Sequence, residues 1–93
     1  PGDACVEVPC YIDGRGVHPT KVGKLPAHLA AMNASNIGVQ LMTIEAAVTK
    51  DRKKIYQAAM LDPHTAAELN IGDIIKMCDE LIEAHGEYMK DYR

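Results

Sequence analysis

Residues 25–44, LPAHLAAMNASNIGVQLMTI, hold no Asp, Glu, Lys or Arg in a chain that is 25% charged. A helix over this stretch has a whole circumference to account for. Its polar groups are His28, Asn33, Ser35, Asn36, Gln40 and Thr43. A bilayer span needs about 20 predominantly apolar residues, and this many polar side chains in lipid is costly. The stretch is therefore read as a helix of a water-soluble protein rather than a membrane span.

That helix begins near Pro26, because proline costs nothing in a first helical turn. Ala30, Ala34, Ile37, Leu41, Ile44 and Val48 recur at spacings of four and three, one apolar seam. Leu29, Met32, Val39 and Met42 are apolar but off the seam, and Gly38 can weaken or kink the helix. Asn33, Asn36, Gln40 and Thr43 form a polar stripe without charge. Two readings stay open for it: a buried hydrogen-bonded network, or a face against a subunit or a pocket.

Around this helix the chain divides near Lys24 into a β part, 1–24, and a helical part, 25–93. Residues 4–22 read as a hairpin, with Val6, Val8, Cys10 and Ile12 alternating onto one face. DGRG supplies a tight reversal with two glycines able to take positive φ. Pro9 and Pro19 each remove a ladder donor, so both strands have an interrupted side. After the long helix, a third element is expected from about Thr49 to Leu61, with Thr49 as its N-cap. Asp62 and Pro63 open a short helix to Leu69. The last helix carries Ile71, Ile74, Ile75, Cys78, Leu81, Ile82, His85 and Met89 on one side and Asp73, Lys76, Asp79, Glu80, Glu83 and Glu87 on the other. Asn70 and Asp73 resemble a capping box, and Gly86 ends or weakens the helix. The fold class is α+β: an N-terminal hairpin followed by three or four helices.

Chemistry is sparse. A net charge of -3 argues against a nucleic-acid partner, which needs a clustered basic excess. DRKK is a solvated helix start, interrupted by Asp51. Three cysteines with no close spacing fit reduced thiols in a cytoplasmic protein rather than a disulfide framework. Cys5, Cys10, Cys78, His18, His28, His64 and His85 form no ligand spacing for a metal, and His85 reads as a core or edge histidine. Asp79, Glu80 and Glu83 sit on a solvated face. No Gly-rich phosphate loop opens a helix, and no nucleophile–base pair follows from spacing. Arg15 and His18, at or just past the reversal, are the polar groups placed to reach a ligand. With Asn33, Asn36, Gln40 and Thr43 they are the candidate pocket- or partner-facing residues.

Longer strings carry more. VEVPCYIDGRGVHPTKVGKLPAHLAAMNASNIGVQ and EAAVTKDRKKIYQAAMLDPHTAAELNIGDI resemble the C-terminal end of family 4 glycoside hydrolases, nearest to the α-galactosidases, with α-glucosidases and α-galacturonidases behind. The likeness runs over nearly the whole chain, about Ala4 to Tyr88. It implies a piece of the mixed α/β catalytic domain, similar to the C-terminal domain of lactate and malate dehydrogenases, in an enzyme that uses NAD and a divalent metal, usually manganese. Such enzymes cleave α-glycosides by oxidation at the sugar's 3-position, elimination, addition of water and reduction, unlike two-carboxylate glycosidases.

The resemblance also implies that the NAD-binding domain, the metal-binding Cys and His and the tyrosine base lie outside these residues. Neither the cysteines and histidines present nor Tyr11, Tyr56, Tyr88 and Tyr92 take those roles. The chain then supplies scaffold and oligomer contacts. Its partners are the remainder of a parent enzyme and further copies, with a small sugar as the parent's substrate. It is expected to be inactive alone. The alternative is an independent homo-oligomeric interaction module derived from the same scaffold.

Overall fold

Two prolines decide how far the hairpin ladder runs. In the computed structural model, which describes residues 2–93, β1 (Cys10–Asp13) and β2 (Gly16–Pro19) pair antiparallel, with Cys10 opposite Pro19, Tyr11 opposite His18, Ile12 opposite Val17 and Asp13 opposite Gly16. Of the expected alternation, Cys10 and Ile12 fall in β1, whereas Val6 and Val8 lie outside any strand. Pro9 has no N–H to donate, so only its carbonyl extends the ladder, accepting from the Thr20 N–H at 2.9 Å and the Thr20 hydroxyl at 2.7 Å. Of the two turn glycines only Gly16, at φ 123°, needs glycine's freedom.

Helix α1 (Ala27–Thr49) follows directly after Pro26 and runs unbroken through Gly38. Its first turn has neither a side-chain cap nor an acidic residue. It ends where Lys50 turns left-handed, at φ 57°. The third element starts later than the sequence implies. Thr49 is the last residue of α1, its hydroxyl bonded back to the Glu45 carbonyl at 2.7 Å. Asp51 is the cap of α2 (Arg52–Leu61), accepting from the Lys53 N–H at 2.9 Å.

Asp62 then caps α3 (Pro63–Glu68), accepting from both the Thr65 N–H and its hydroxyl. Asn70 caps α4 (Ile71–His85) through a 2.9 Å bond from the Asp73 N–H. Asp73 returns the contact to the Asn70 side-chain amide rather than to its backbone, so the box is closed side chain to side chain. Gly86 ends α4 at φ 49°, and a 3₁₀ turn (Gly86–Met89) follows.

The helices pack in sequence, α1 on α2 and α2 on α4, with α3 bridging α2 and α4. The core is small: among the described residues Ala46, Ala58, Ile74 and Cys78 are the buried apolar ones. Ala46 lies off the apolar seam read from the sequence. Helix α2 approaches α1 on the side of Ala46 and of Glu45, which Lys54 holds at 2.7 Å. An alanine is the buried residue of each helix, Ala46 on α1 and Ala58 on α2. The seam residues Ile44 and Val48 are left exposed, and Ile37 and Leu41 half-buried.

Much apolar surface stays uncovered. Every residue from 27 to 36 is exposed. Ile12 and Val17 face each other across the hairpin at 77% and 64% exposure. The accessible surface is 7427 Å², against about 5,300 Å² for a compact monomer of this mass. The radius of gyration is 17.3 Å, against about 12 Å for a compact domain of this length. No helix is long and apolar enough to cross a membrane among the described residues.

Candidate functional site

The DGRG reversal gathers the first polar cluster. Asp13 closes β1, and its Oδ1 accepts the Arg15 N–H at 2.7 Å, the side-chain turn that Asp favours at such positions. The same oxygen lies 2.9 Å from Nε2 of His18. His18 stacks across the ladder on Tyr11, with ring centroids 4.7 Å apart and planes 19° from parallel. The Arg15 N–H, and after it the His18 hydrogen bond, hold the Asp13 carboxyl below its usual range. Asp13, which the sequence marks only as a turn residue, thus joins the Arg15 backbone to the His18 ring. Its signal is the Asp at the first position of the turn.

The four other candidates string along α1. Steps of 100° per residue put Leu29, Asn33, Asn36, Gln40 and Thr43 within one strip of its surface, with Met32 at the edge. All six are exposed. Residues 5–7 run beside the strip's far end, forming a shallow groove with Val39, Gln40, Thr43 and Ile44. Thr43 spends its hydroxyl on the Val39 carbonyl at 2.8 Å. The strands of the hairpin pack chiefly on each other, so the structure gathers these candidates in two places.

Two further clusters escaped the sequence. Tyr56 of α2 donates its hydroxyl to Oδ1 of Asp79 on α4 at 2.5 Å. Arg52 reaches both, Nε to the Tyr56 oxygen at 3.0 Å and Nη2 to the Asp79 oxygen at 3.2 Å. The Tyr56 hydrogen bond first, then Arg52, hold the Asp79 carboxyl below its usual range. The three groups bond one another across the two helices, so the triangle acts as a staple between α2 and α4. Only the i, i+4 spacing of Arg52 and Tyr56 hints at it.

The second cluster lies at the α1–α2 corner. There Arg93 donates its N–H to the Lys50 carbonyl at 2.9 Å and accepts the Arg52 N–H at 2.7 Å. The Lys50 ammonium sits 4.6 Å from the centre of the Tyr92 ring, close enough for a cation–π contact.

Cys5, Cys10 and Cys78 are free thiols, the first two exposed. Burial pushes the Cys78 thiol up. His85 is exposed rather than set in the core; its Nδ1 lies 2.6 Å from the Leu81 carbonyl one turn back. Among the described residues no three His, Cys, Asp or Glu side chains stand together as metal ligands. The two strands are an antiparallel pair, without the strand–glycine loop–helix that receives a dinucleotide pyrophosphate. These residues fit neither a manganese ion nor NAD.

Taken together, the described residues define an α+β unit of one hairpin and four helices, with polar clusters on its surface. The C-terminal domain of family 4 glycosyl hydrolases matches residues 1–65, which cover the hairpin, α1, α2 and the start of α3. The chain belongs to that family. It is 55% identical over 93 residues to an alpha-galactosidase of Bacillus subtilis (strain 168), covering all of this chain and 22% of that protein. An alpha-galactosidase of Rhizobium meliloti (strain 1021) is 30% identical over 92 residues, 99% of this chain and 19% of the relative. A maltose-6'-phosphate glucosidase of Fusobacterium mortiferum is 32% identical over 85 residues, 91% of this chain and 19% of the relative. The chain spans about a fifth of the length of the curated relatives it matches. No solved structure matches it.

Proposed function

We propose that these residues are the C-terminal scaffold of an NAD- and manganese-dependent α-glycosidase acting on α-galactosides. The observation that carries the substrate class is the 55% identity to an alpha-galactosidase across the whole chain. NAD and the metal belong to the remainder of the parent, because the residues described here suit neither. Residues 1–24 and 25–93 act as one structural unit of that parent. Their share of the work is to hold the catalytic part in shape and to make oligomer contacts. Arg15 and His18 at the hairpin tip form a pocket or partner edge, and Asn33, Asn36, Gln40 and Thr43 form a partner-facing stripe. Two exposed free thiols support a reducing, cytoplasmic setting.

The test is turnover of p-nitrophenyl α-galactoside with NAD⁺, Mn²⁺ and a reductant. The full-length polypeptide containing this segment is expected to turn over and the 93-residue segment is not. Turnover by the segment alone places catalytic groups within it and ends the scaffold reading. A full-length protein that cleaves α-glucosides and leaves α-galactosides intact ends the substrate assignment.

A further inference from the structure

Lys50 ends α1 in the left-handed region, at φ 57° and ψ 28°. Helices usually place glycine or asparagine there, because a side chain in that conformation crowds the following carbonyl. Among the described residues Lys50 is the one non-glycine residue with a positive φ. Its conformation is therefore held against its own backbone preference, and contacts converge on it from the residues beyond α4. The Arg93 N–H donates to the Lys50 carbonyl at 2.9 Å. The Lys50 ammonium stands 4.6 Å from the centre of the Tyr92 ring and 3.4 Å from its hydroxyl.

Arg93 also serves the helix that follows. The first N–H groups of a helix have no partner within it. At the start of α2 the Asp51 side chain takes the Lys53 N–H, and the Asp51 carbonyl takes the Lys54 N–H at 3.2 Å. The Arg52 N–H goes to the Arg93 carbonyl at 2.7 Å. The backbone bonds of Arg93 thus straddle Asp51, as the slanted bonds of a parallel strand pair do. Tyr92, half-buried, donates its N–H to the Met89 carbonyl at 3.0 Å, which carries the chain from the 3₁₀ turn to the corner.

We propose that residues 90–93 are a strap that closes over the α1–α2 corner and holds Lys50 left-handed, so that the direction in which α1 meets α2 is set from beyond α4. When the strap lifts, Lys50 loses its partners and leaves the left-handed region, and α1 swings on α2. Backbone bonds and a single aromatic contact hold the strap, whereas the Arg52–Tyr56–Asp79 triangle ties α2 to α4. The strap therefore opens locally, ahead of the α2–α4 pair.

Amide hydrogen exchange of the full-length polypeptide, resolved to single residues by electron-transfer fragmentation in the mass spectrometer, tests this. The Arg52 N–H reports the bond to Arg93. The Lys50 N–H, bonded to the Ala46 carbonyl at 2.9 Å, reports the left-handed cap. Both are expected to exchange at least about tenfold more slowly than in urea. Tyr92→Ala removes the cation–π contact and is expected to speed both by about two- to fivefold, with the Lys53 N–H, held by Asp51, unchanged. Arg93→Pro deletes the donor to Lys50 and is expected to speed both at least as much. Lys50→Gly adopts the left-handed conformation without crowding. Combined with Arg93→Pro it is expected to restore protection at residue 50 and leave Arg52 fast.

Wild-type Arg52 exchanging as fast as in urea overturns the strap. So do unchanged rates in both Tyr92→Ala and Arg93→Pro, or a residue-50 amide that stays fast when Lys50→Gly is added. A rise at Lys53 equal to that at Arg52 is fraying of α2 and overturns it too. If Arg93→Pro fails to fold, judged from the α4 amides, the wild type and Tyr92→Ala still decide.

Discussion

Ile74 is 2% exposed, and Ile71, one turn earlier on the same helix, is 65% exposed. The pair isolates the worth of burial in α4. Ile74→Ala removes three carbons, about 2.4 kcal/mol of transfer free energy at about 0.8 kcal/mol for each buried methylene. A residual cavity adds to this, and measured Ile→Ala losses run about 2–5 kcal/mol. Only four apolar residues among those described are buried, so the surroundings are free to relax, and about 3 kcal/mol is expected. Ile71→Ala forfeits about a third of the transfer term, and alanine's higher helix propensity recovers part of that. Its net cost is below about 1 kcal/mol.

In a urea titration of the chain followed by far-ultraviolet circular dichroism, at a slope of about 1 kcal/mol per molar, Ile74→Ala lowers the midpoint by about 3 M. Ile71→Ala moves it by less than about 1 M. Equal shifts from the two variants refute the orientation of α4 described here, and with it the assignment of Ile74 and Cys78 to the core.

Other consequences follow the caps, the staple and the turn. Asn70→Ala deletes the acceptor of the Asp73 N–H and lowers stability by about 1 kcal/mol, read from the same titration. Asp79 has its carboxyl held below its ordinary value of 3.8. Its stabilising contribution is therefore complete above that value and is lost as pH falls through the lowered folded-state value. Tyr56→Phe removes the largest cause of the depression. The variant is expected to be less stable than wild type at neutral pH, with the gap closing as Asp79 protonates; a gap that stays constant into acid refutes the staple. Gly16→Ala meets no steric neighbour, so its cost, about 1 kcal/mol or more, is that of φ 123° alone. Gly14→Ala escapes it. Cross-strand Tyr11–His18 contacts in the nuclear magnetic resonance spectrum report hairpin integrity in both.

Helix α4 was readable from its residues because charge and apolarity segregate on it, and because Asn70 and Gly86 mark its ends. Asp62 and Pro63 punctuate α2 and α3 equally plainly. The hairpin reversal was legible, but the reach of its strands was overstated, since alternation continues through Pro9 where the ladder cannot. The α1–α2 corner falls two residues later than the sequence implies, at Asp51 rather than Thr49. Thr49 is a good cap by type, yet its hydroxyl serves the preceding turn, and a lysine rather than a glycine takes the left-handed position. On α1 periodicity had little to select from, because the helix is apolar or neutral almost all round. The buried face is marked by the small Ala46 rather than by the bulky seam residues Ile44 and Val48. The Arg52–Tyr56–Asp79 triangle joins residues 23 and 27 positions apart, and no local spacing announces such a contact. The hairpin cluster is local, and the sequence placed Arg15 and His18 within it while leaving out Asp13.

The first half of α1 connects fold to function most directly. Residues 27–36 are exposed on every side, start without a side-chain cap and include Asn33, Ser35 and Asn36, which compete with their own backbone for hydrogen bonds. Fixing each backbone residue costs about 1–2 kcal/mol, and within these residues the offset for 27–36 is propagation from the packed half of α1. Contact over 27–36 adds to that order. If a neighbouring surface of the parent enzyme supplies that contact, helix and cover form as one cooperative step. Removing apolar groups from the cover then raises hydrogen exchange at the backbone amides of 31–36 without touching those of α4, which is anchored through Ile74. Exchange that rises equally in both helices shows one undivided unit, and the dependence of α1 on its cover fails.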